Sequence, residues 1–114
     1  MRIEAYEFGR IRVDGQEYSR DVVVHRERVD APWWRQEGHR LAVADLSGIL
    51  AAEPQVLVIG TGNLGRMEVP AATRRVVEEA GIDLHTLPTA QAVELFNRLD
   101  AGGDRPVGAF HLTC

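Results

Sequence analysis

Residues 56–70, V56-L-V-I-G-T-G-N-L-G-R-M-E-V-P70, are the clearest indication of the fold of this chain. The first four of these residues form a continuous apolar run, which is typical of a strand covered on both faces of a sheet. A glycine-rich loop follows, and Pro70 suits the first position of a helix because proline has a fixed φ and no N–H to donate. Strand, loop and helix in this order predict the start of a βαβ unit.

The remainder of the second half continues this alternation. The helix that begins at Pro70 is expected to end at Gly81, with Ala72, Val76, Val77 and Ala80 on its buried face. A strand is predicted at 82–87. A second helix, capped by Thr89, ends at the Gly102-Gly103 pair and carries apolar residues at helical spacing, namely Ala92, Phe96 and Leu99. Residues 107–112 close the unit as a strand.

The first half has the period-two pattern of antiparallel strands over residues 3–25, and Asp14-Gly15 predicts a two-residue hairpin turn. Periodicity disappears between Arg26 and Arg40, where a loop is expected. Asp45 is predicted to cap a brief helix that Pro54 stops. Residues 1–114 are therefore expected to form one α/β domain, a β-hairpin region followed by a βαβαβ unit with a mixed central sheet.

The glycine loop, residues 60–66, has the Gly-x-Gly-x-x-Gly spacing of dinucleotide-binding proteins. In those proteins the glycines open the helix, whereas here the helix starts no earlier than Pro70. Asp83, the acid at the expected distance for a ribose, falls at the beginning of its strand rather than at the carboxyl end. We therefore expect no nucleotide cofactor. The glycines are more simply explained as a turn, although Gly60, Thr61, Gly62 and Arg66 remain candidates for holding a small anion.

The loop A31-P-W-W-R-Q-E-G-H39 supplies a second group of candidates. Trp34 offers stacking, Arg35 a bidentate anion donor and His39 a group that titrates near neutrality. The competing interpretation is that one tryptophan covers the core while Arg35 and His39 stay solvated.

Catalytic and metal motifs are weak. His111 and Cys114 are three residues apart, so on a continuous strand their side chains point to opposite faces. The four histidines never fall at i and i+4, and one cysteine makes no zinc signature. All thirteen basic residues are arginine, which removes lysine chemistry. The sequence predicts no catalytic residue, no metal and no cofactor, and favours a non-enzymatic role.

Charge and hydropathy narrow the partners. The net charge of −4 argues against a nucleic-acid surface, and no apolar run is long enough to span a bilayer. The charged N-terminus lacks a signal-peptide core, and a single cysteine fits a reducing compartment. We expect a cytoplasmic protein with a protein partner or self-association, and with neither nucleic acid nor membrane as a ligand.

Taken together, several motifs resemble one family. They are G15-Q-E-Y-S-R-D21, Trp34-Arg35 with Gly38-His39, L57-V-I-G-T-G62, the helix opening V69-P-A-A-T73, G81-I-D-L84, L87-P-T-A-Q-A-V-E-L-F-N97 and V107-G-A-F-H-L-T-C114. With these motifs in this order, the chain resembles the small domain family of adipogenesis-associated domain-containing protein. Mitochondrial complex I assembly factor three is a more distant relative of that family.

The resemblance implies an α/β domain with a mixed sheet and no established catalytic activity, and its assembly-factor branch works through protein contacts. Among the positions that match, Thr89, Asn97 and His111 join the candidate site residues. Two hypotheses follow. The first is a non-catalytic protein-binding or assembly domain. The second is a small anionic-ligand protein or enzyme that uses the glycine loop with Arg35 and His39.

Overall fold

Eight strands and three α-helices make up the chain, and the computed structural model describes all residues from Met1 to Cys114. The strands are β1 Ile3–Glu7, β2 Arg10–Val13, β3 Gln16–Tyr18, β4 Val22–Val24, β5 Val29–Asp30, β6 Val56–Thr61, β7 Asp83–Leu87 and β8 Val107–His111. The helices are α1 Ser47–Ala51, α2 Ala71–Glu79 and α3 Thr89–Ala101, and a 3₁₀ turn at Val43–Leu46 leads into α1. The predicted α/β class is confirmed.

A five-stranded mixed sheet forms the centre of the molecule, in the order β5-β4-β8-β6-β7. Strand β6 runs parallel to both β7 and β8, whereas β4 runs antiparallel to β8 and to β5. Thr61 and His111 are register partners at the ends of β6 and β8. Their side of the sheet, where these parallel strands end, is called the carboxyl edge below. Open α/β sheets commonly bind ligands at this edge.

The N-terminal strands form a separate antiparallel sheet in the order β1-β2-β3. The turn between β2 and β3 has Asp14 and Gly15 at φ 46° and 82°, as a two-residue hairpin turn of the primed type requires. The predicted hairpin is thus confirmed. A register shift between Ile3 and Ala5 interrupts the pairing of β1 with β2.

Apolar residues pack against both faces of the central sheet. On one face, α1, α2 and Trp33 cover a cluster that includes Leu57, Ile59 and Ala109. On the other, α3 and the small sheet cover a cluster that includes Val58 and Phe110. The alternation of Leu57, Val58 and Ile59 between the two clusters explains the unbroken apolar run in β6, because neither face of this strand meets solvent.

The buried face of α2 differs from the prediction. Of the four residues expected there only Val77 is buried, and its partner one turn earlier is Thr73. The Thr73 hydroxyl donates to the Leu41 carbonyl at 2.9 Å, which satisfies it inside the protein. Apolar spacing alone therefore predicts the wrong face, because it assigns the polar Thr73 to solvent.

The predicted helix starts are also displaced. Asp45 lies within the 3₁₀ turn rather than before it, and its carboxylate accepts from the backbone N–H of Ala42 at 2.8 Å and of Gln36 at 3.1 Å. Pro70 precedes α2 instead of beginning it, and Thr89 is the first residue of α3 rather than its cap. None of these helices combines the length and apolar composition that a membrane crossing requires.

Candidate functional site

Three polar side chains meet at the carboxyl edge and are called the aspartate network below: Asp21, Arg35 and His111. Asp21 Oδ2 lies 2.6 Å from Arg35 Nη1 and 2.8 Å from His111 Nδ1. The second carboxylate oxygen, Oδ1, accepts from the backbone N–H of Leu112 at 2.8 Å. Arg35 Nη2 donates to the Gly38 carbonyl at 3.2 Å and lies 3.0 Å from His111 Nδ1. The carboxylate is thus the centre of the network.

Strand pairing brings these residues together from distant parts of the sequence. Val22 of β4 is the register partner of Phe110 in β8, so Asp21, one residue before β4, lies beside His111 and Leu112. Arg35 reaches the network from the 31–40 loop. Its guanidinium carbon lies 4.9 Å from the centre of the Trp33 ring, a cation–π distance, and Trp33 is itself held by a 3.1 Å bond from Nε1 to the Asp45 carbonyl.

Burial sets the electrostatics of the aspartate network. Only 5% of the Arg35 side chain and 6% of the His111 side chain are exposed. Burial by itself would raise the pKa of Asp21, but hydrogen bonds from His111, the Leu112 N–H and Arg35 outweigh it and lower that pKa below its usual value. The carboxylate is therefore ionised at neutral pH and neutralises the guanidinium.

The ionised carboxylate also determines the tautomer of His111. A carboxylate oxygen can only accept, so the 2.8 Å bond to Asp21 places the proton on Nδ1, and Arg35 Nη2 is then a neighbour of Nδ1 and not its donor. The other ring nitrogen, Nε2, is buried without a hydrogen-bond partner, as is Nε of Arg35. Protonation at Nε2 would create a buried N–H with no acceptor, so the geometry favours a ring with its proton on Nδ1 and its lone pair at Nε2.

Thr89 joins the aspartate network to the glycine loop. Its hydroxyl donates to the His111 carbonyl at 2.6 Å and accepts from the Gly62 N–H at 2.9 Å. Thr89 is fully buried. This candidate therefore connects β6, β8 and α3 instead of facing a ligand.

The amides of the glycine loop are used within the protein. Asn63 N–H donates to the Thr113 carbonyl at 3.2 Å, Gly65 N–H to Gly62 at 3.1 Å, and Arg66 N–H to Cys114 at 3.4 Å. Gly62 has φ 107°, and a Cβ atom there would lie 2.5 Å from the Thr113 carbonyl oxygen. The loop is glycine-rich because the C-terminal backbone packs directly against it.

This arrangement agrees with the interpretation of the glycines as a turn. Helix α2 begins only at Ala71, and Asp83 pairs with Val56 at the amino ends of β7 and β6, far along the strand from the loop. Gly60 is needed for packing as well, since a Cβ at that position would lie 2.8 Å from the Thr89 hydroxyl.

His39 and Cys114 complete a second group with His111, called the histidine–cysteine cluster below. One ring nitrogen of each histidine and Cys114 Sγ all lie within 4.8 Å of one another. His111 and Cys114 would point apart only on a continuous strand, and that condition fails here, because β8 ends at His111 and Cys114, at φ 47°, no longer follows the strand. The nearness of His39 has no signal in the sequence, since the two histidines lie on distant segments of the chain.

The other candidates lie apart from these groups. Trp34 leaves 79% of its surface exposed, whereas Trp33 covers the core. Asn97 bonds both the N–H and the carbonyl of Ile3, so it fastens β1 to α3. Thr61 is buried, and Arg66 is exposed. The interpretation of the tryptophan loop as a cover for the core therefore holds for Trp33, which is buried, and for His39, which is exposed. It does not hold for Arg35, whose side chain is buried and paired with Asp21.

Two of the cavities lie away from the predicted residues. One of about 390 Å³ lies at the opposite edge of the sheet, between residues 25–28, 52–55 and 104–107. Another of about 340 Å³ lies on the small sheet and is lined by Tyr6 and Ile11. A smaller cavity of about 150 Å³ adjoins Trp33 and Trp34.

Comparison with known proteins places this architecture among uncharacterised domains. The chain is similar to a conserved hypothetical protein, PH1505, from Pyrococcus horikoshii OT3, with 27% identity, a TM-score of 0.84 and full coverage of both chains. It is similar to a solved structure named MT938, with 28% identity and a TM-score of 0.82 over 99% of this chain and 98% of that one.

A Mth938-like domain from Bordetella pertussis, solved in solution by NMR, shares the fold at 24% identity and a TM-score of 0.69, over 96% of this chain and 84% of that one. The model of a family described as protein of unknown function (DUF498/DUF598) matches residues 3–111. The match spans every strand and helix, from the first residue of β1 to the last residue of β8. The chain therefore belongs to the DUF498/DUF598 family.

Proposed function

We propose that this chain is a non-catalytic protein-binding domain and that Trp34 is the anchor of its contact surface. The observation that carries the proposal is the exposure of Trp34, 79% of whose surface is in solvent beside a buried neighbour, Trp33. Tryptophan is among the residues most enriched at the energetic centres of protein interfaces. Burial against a partner would recover the apolar free energy that the isolated domain leaves unused.

The surface around Trp34 supports this assignment. The cavity of about 150 Å³ next to its ring is lined by both tryptophans, Pro32 and Ile49, together with Val23, His25, Asp30, Asp45 and Gly48. Its mixed lining offers apolar contact to one side chain of a partner and polar groups at the rim. An anchor side chain from a partner commonly fills a small pocket of this kind.

The carboxyl edge favours a contact surface over an enclosed substrate site, because the chain's own C-terminal residues pack against the glycine loop there. The resemblance to the adipogenesis-associated family supports the same function, since the assembly-factor branch of that family acts through protein contacts. The partner is a different protein or a second copy of this chain.

The anionic-ligand alternative has less support. Arg35, its proposed anion donor, already pairs with Asp21 at 2.6 Å, and several loop amides have partners. An anion would have to displace the carboxylate from a buried ion pair. We therefore expect phosphate and carboxylate metabolites to leave the melting temperature unchanged. A saturable rise that Arg35→Lys abolishes would instead support the anion site.

The test compares Trp34→Ala with Phe8→Ala, a matched control because Phe8 is also an exposed aromatic residue, at 61%. Sedimentation velocity measures self-association. For a different protein as the partner, quantitative affinity enrichment identifies it and calorimetry measures its affinity. We expect Trp34→Ala to weaken the association at least about tenfold, as removal of an interface anchor does, and Phe8→Ala to leave it unchanged. Equal affinity of the wild type and Trp34→Ala would contradict the proposal.

A further inference from the structure

We propose that His39, His111 and Cys114 form a binding site for a zinc-class divalent metal ion at the carboxyl edge. The three donor atoms lie within 4.8 Å of one another, and thiolate sulfur with imidazole nitrogen is a ligand set that zinc prefers. The site is independent of the contact surface at Trp34.

His111 supplies the observation that points to a ligand. Only 6% of its side chain is exposed, and Nε2 is buried with no hydrogen-bond partner. Buried polar atoms are nearly always satisfied, so an unpartnered ring nitrogen on a histidine that is grouped with a thiol and a second imidazole requires an explanation. A metal ion bound at Nε2 would satisfy the lone pair.

Asp21 prepares His111 for this role. Metal-binding histidines characteristically donate their second ring N–H to a carboxylate, which fixes the tautomer and makes the other nitrogen a stronger ligand. Asp21 is such a carboxylate, since its Oδ2 lies 2.8 Å from His111 Nδ1. Asp21 also pairs with Arg35, so an incoming cation does not face an uncompensated guanidinium.

The cluster must contract slightly to hold zinc. Bond lengths of about 2.0–2.1 Å to nitrogen and about 2.3 Å to sulfur place tetrahedral ligands about 3.3–3.6 Å apart. His111 is held by the aspartate network, but His39 is exposed and Cys114 is partly exposed beyond the end of β8. Rotation of these two side chains closes the remaining distance. Three protein ligands leave a fourth position open for water or another donor.

The experiment titrates the reduced, full-length protein with zinc chloride by calorimetry and with cobalt(II) by absorption spectroscopy. We expect one zinc ion per chain, and cobalt spectra with a thiolate-to-cobalt charge-transfer band. Cys114→Ser should abolish the band. Cys114→Ser and His39→Ala should each weaken zinc binding at least about tenfold, since even the loss of an outer-shell partner has that effect.

His85→Ala is the matched control, because His85 is a histidine on β7 that pairs with Asp83 outside the cluster. We expect it to bind zinc as the wild type does. Both ligand variants replace side chains that are at least partly exposed, so circular dichroism should show them folded. Zinc affinity that survives Cys114→Ser, absence of the charge-transfer band in the wild type, or loss of binding in His85→Ala would each overturn the proposal.

Discussion

Two regions of the carboxyl edge contrast sharply: the glycine loop and the aspartate network. The loop has a spacing that attracts attention in the sequence, yet Gly62, Asn63, Gly65 and Arg66 each give their N–H to a partner within the chain. The network has no local motif, yet it leaves Arg35 Nε and His111 Nε2 buried without partners. A conspicuous motif can thus serve packing, while unused binding capacity lies in residues that only the fold brings together.

The largest expected effect comes from removing the centre of the network. Asp21→Ala leaves the buried Arg35 without its counter-ion, and breaking a buried pair in this way typically costs about 3–5 kcal/mol. Urea unfolding measures the change. Asp104→Ala is the control, since Asp104 is exposed, and should stay within about 0.5 kcal/mol of the wild type. Similar stabilities for the two variants would show that the aspartate network does not stabilise the fold more than an exposed surface residue does.

A smaller effect is expected in the glycine loop. In Gly62→Ala the new Cβ meets the Thr113 and Cys114 backbone, and φ 107° strains any side chain. Overpacking and backbone strain together should cost about 2–4 kcal/mol of unfolding free energy. Gly48→Ala, in open space on α1, should instead be neutral or stabilise by up to about 1 kcal/mol. A tolerated Gly62→Ala would show that packing does not explain the loop.

Acid should weaken the network in a defined direction. The folded pKa of Asp21 is below its usual value, because the hydrogen bonds of the network outweigh burial, and the unfolded carboxyl titrates near about 3.9. The stabilisation is therefore complete above that pH and is lost as the pH falls through the folded pKa.

The corresponding measurement is the unfolding free energy against pH in chelator-containing buffer. Below about pH 4 it should fall more steeply for the wild type than for Asp21→Asn, which lacks the titrating group. Parallel curves would show that Asp21 does not carry the acid sensitivity.

The last prediction is that nucleotides do not bind to the glycine loop. Because several loop amides have partners and α2 starts too late to receive a phosphate, we predict no meaningful affinity for NAD, FAD or ATP. Calorimetric titration measures this directly. Micromolar binding of any of the three would restore the glycine loop as a ligand site.

Much of the fold could be predicted from the sequence because its signals are local. The apolar run of β6, the Asp14-Gly15 turn and the spacing of Ala92 and Phe96 in α3 each follow from the preferences of neighbouring residues. The face of α2 could not be predicted, because Thr73 is buried through a hydrogen bond to the distant Leu41.

The candidate site could be predicted only in part. Arg35, His39 and His111 are all candidates from the sequence, but nothing in the sequence indicates that His111 meets the other two, which share one loop. Asp21 carries no such signal because it precedes an ordinary strand, and only the pairing of β4 with β8 places it at the centre of the network. The position of Cys114 depends on where β8 ends, and strand ends are the least predictable part of an element.

The tautomer of the His111 ring shows whether the unused binding capacity of the carboxyl edge lies at Nε2. Long-range ¹H–¹⁵N correlation spectra of the metal-free protein at neutral pH distinguish the protonated from the bare ring nitrogen. We expect the proton on Nδ1, shared with Asp21, and a bare Nε2. A proton on Nε2 would contradict this expectation.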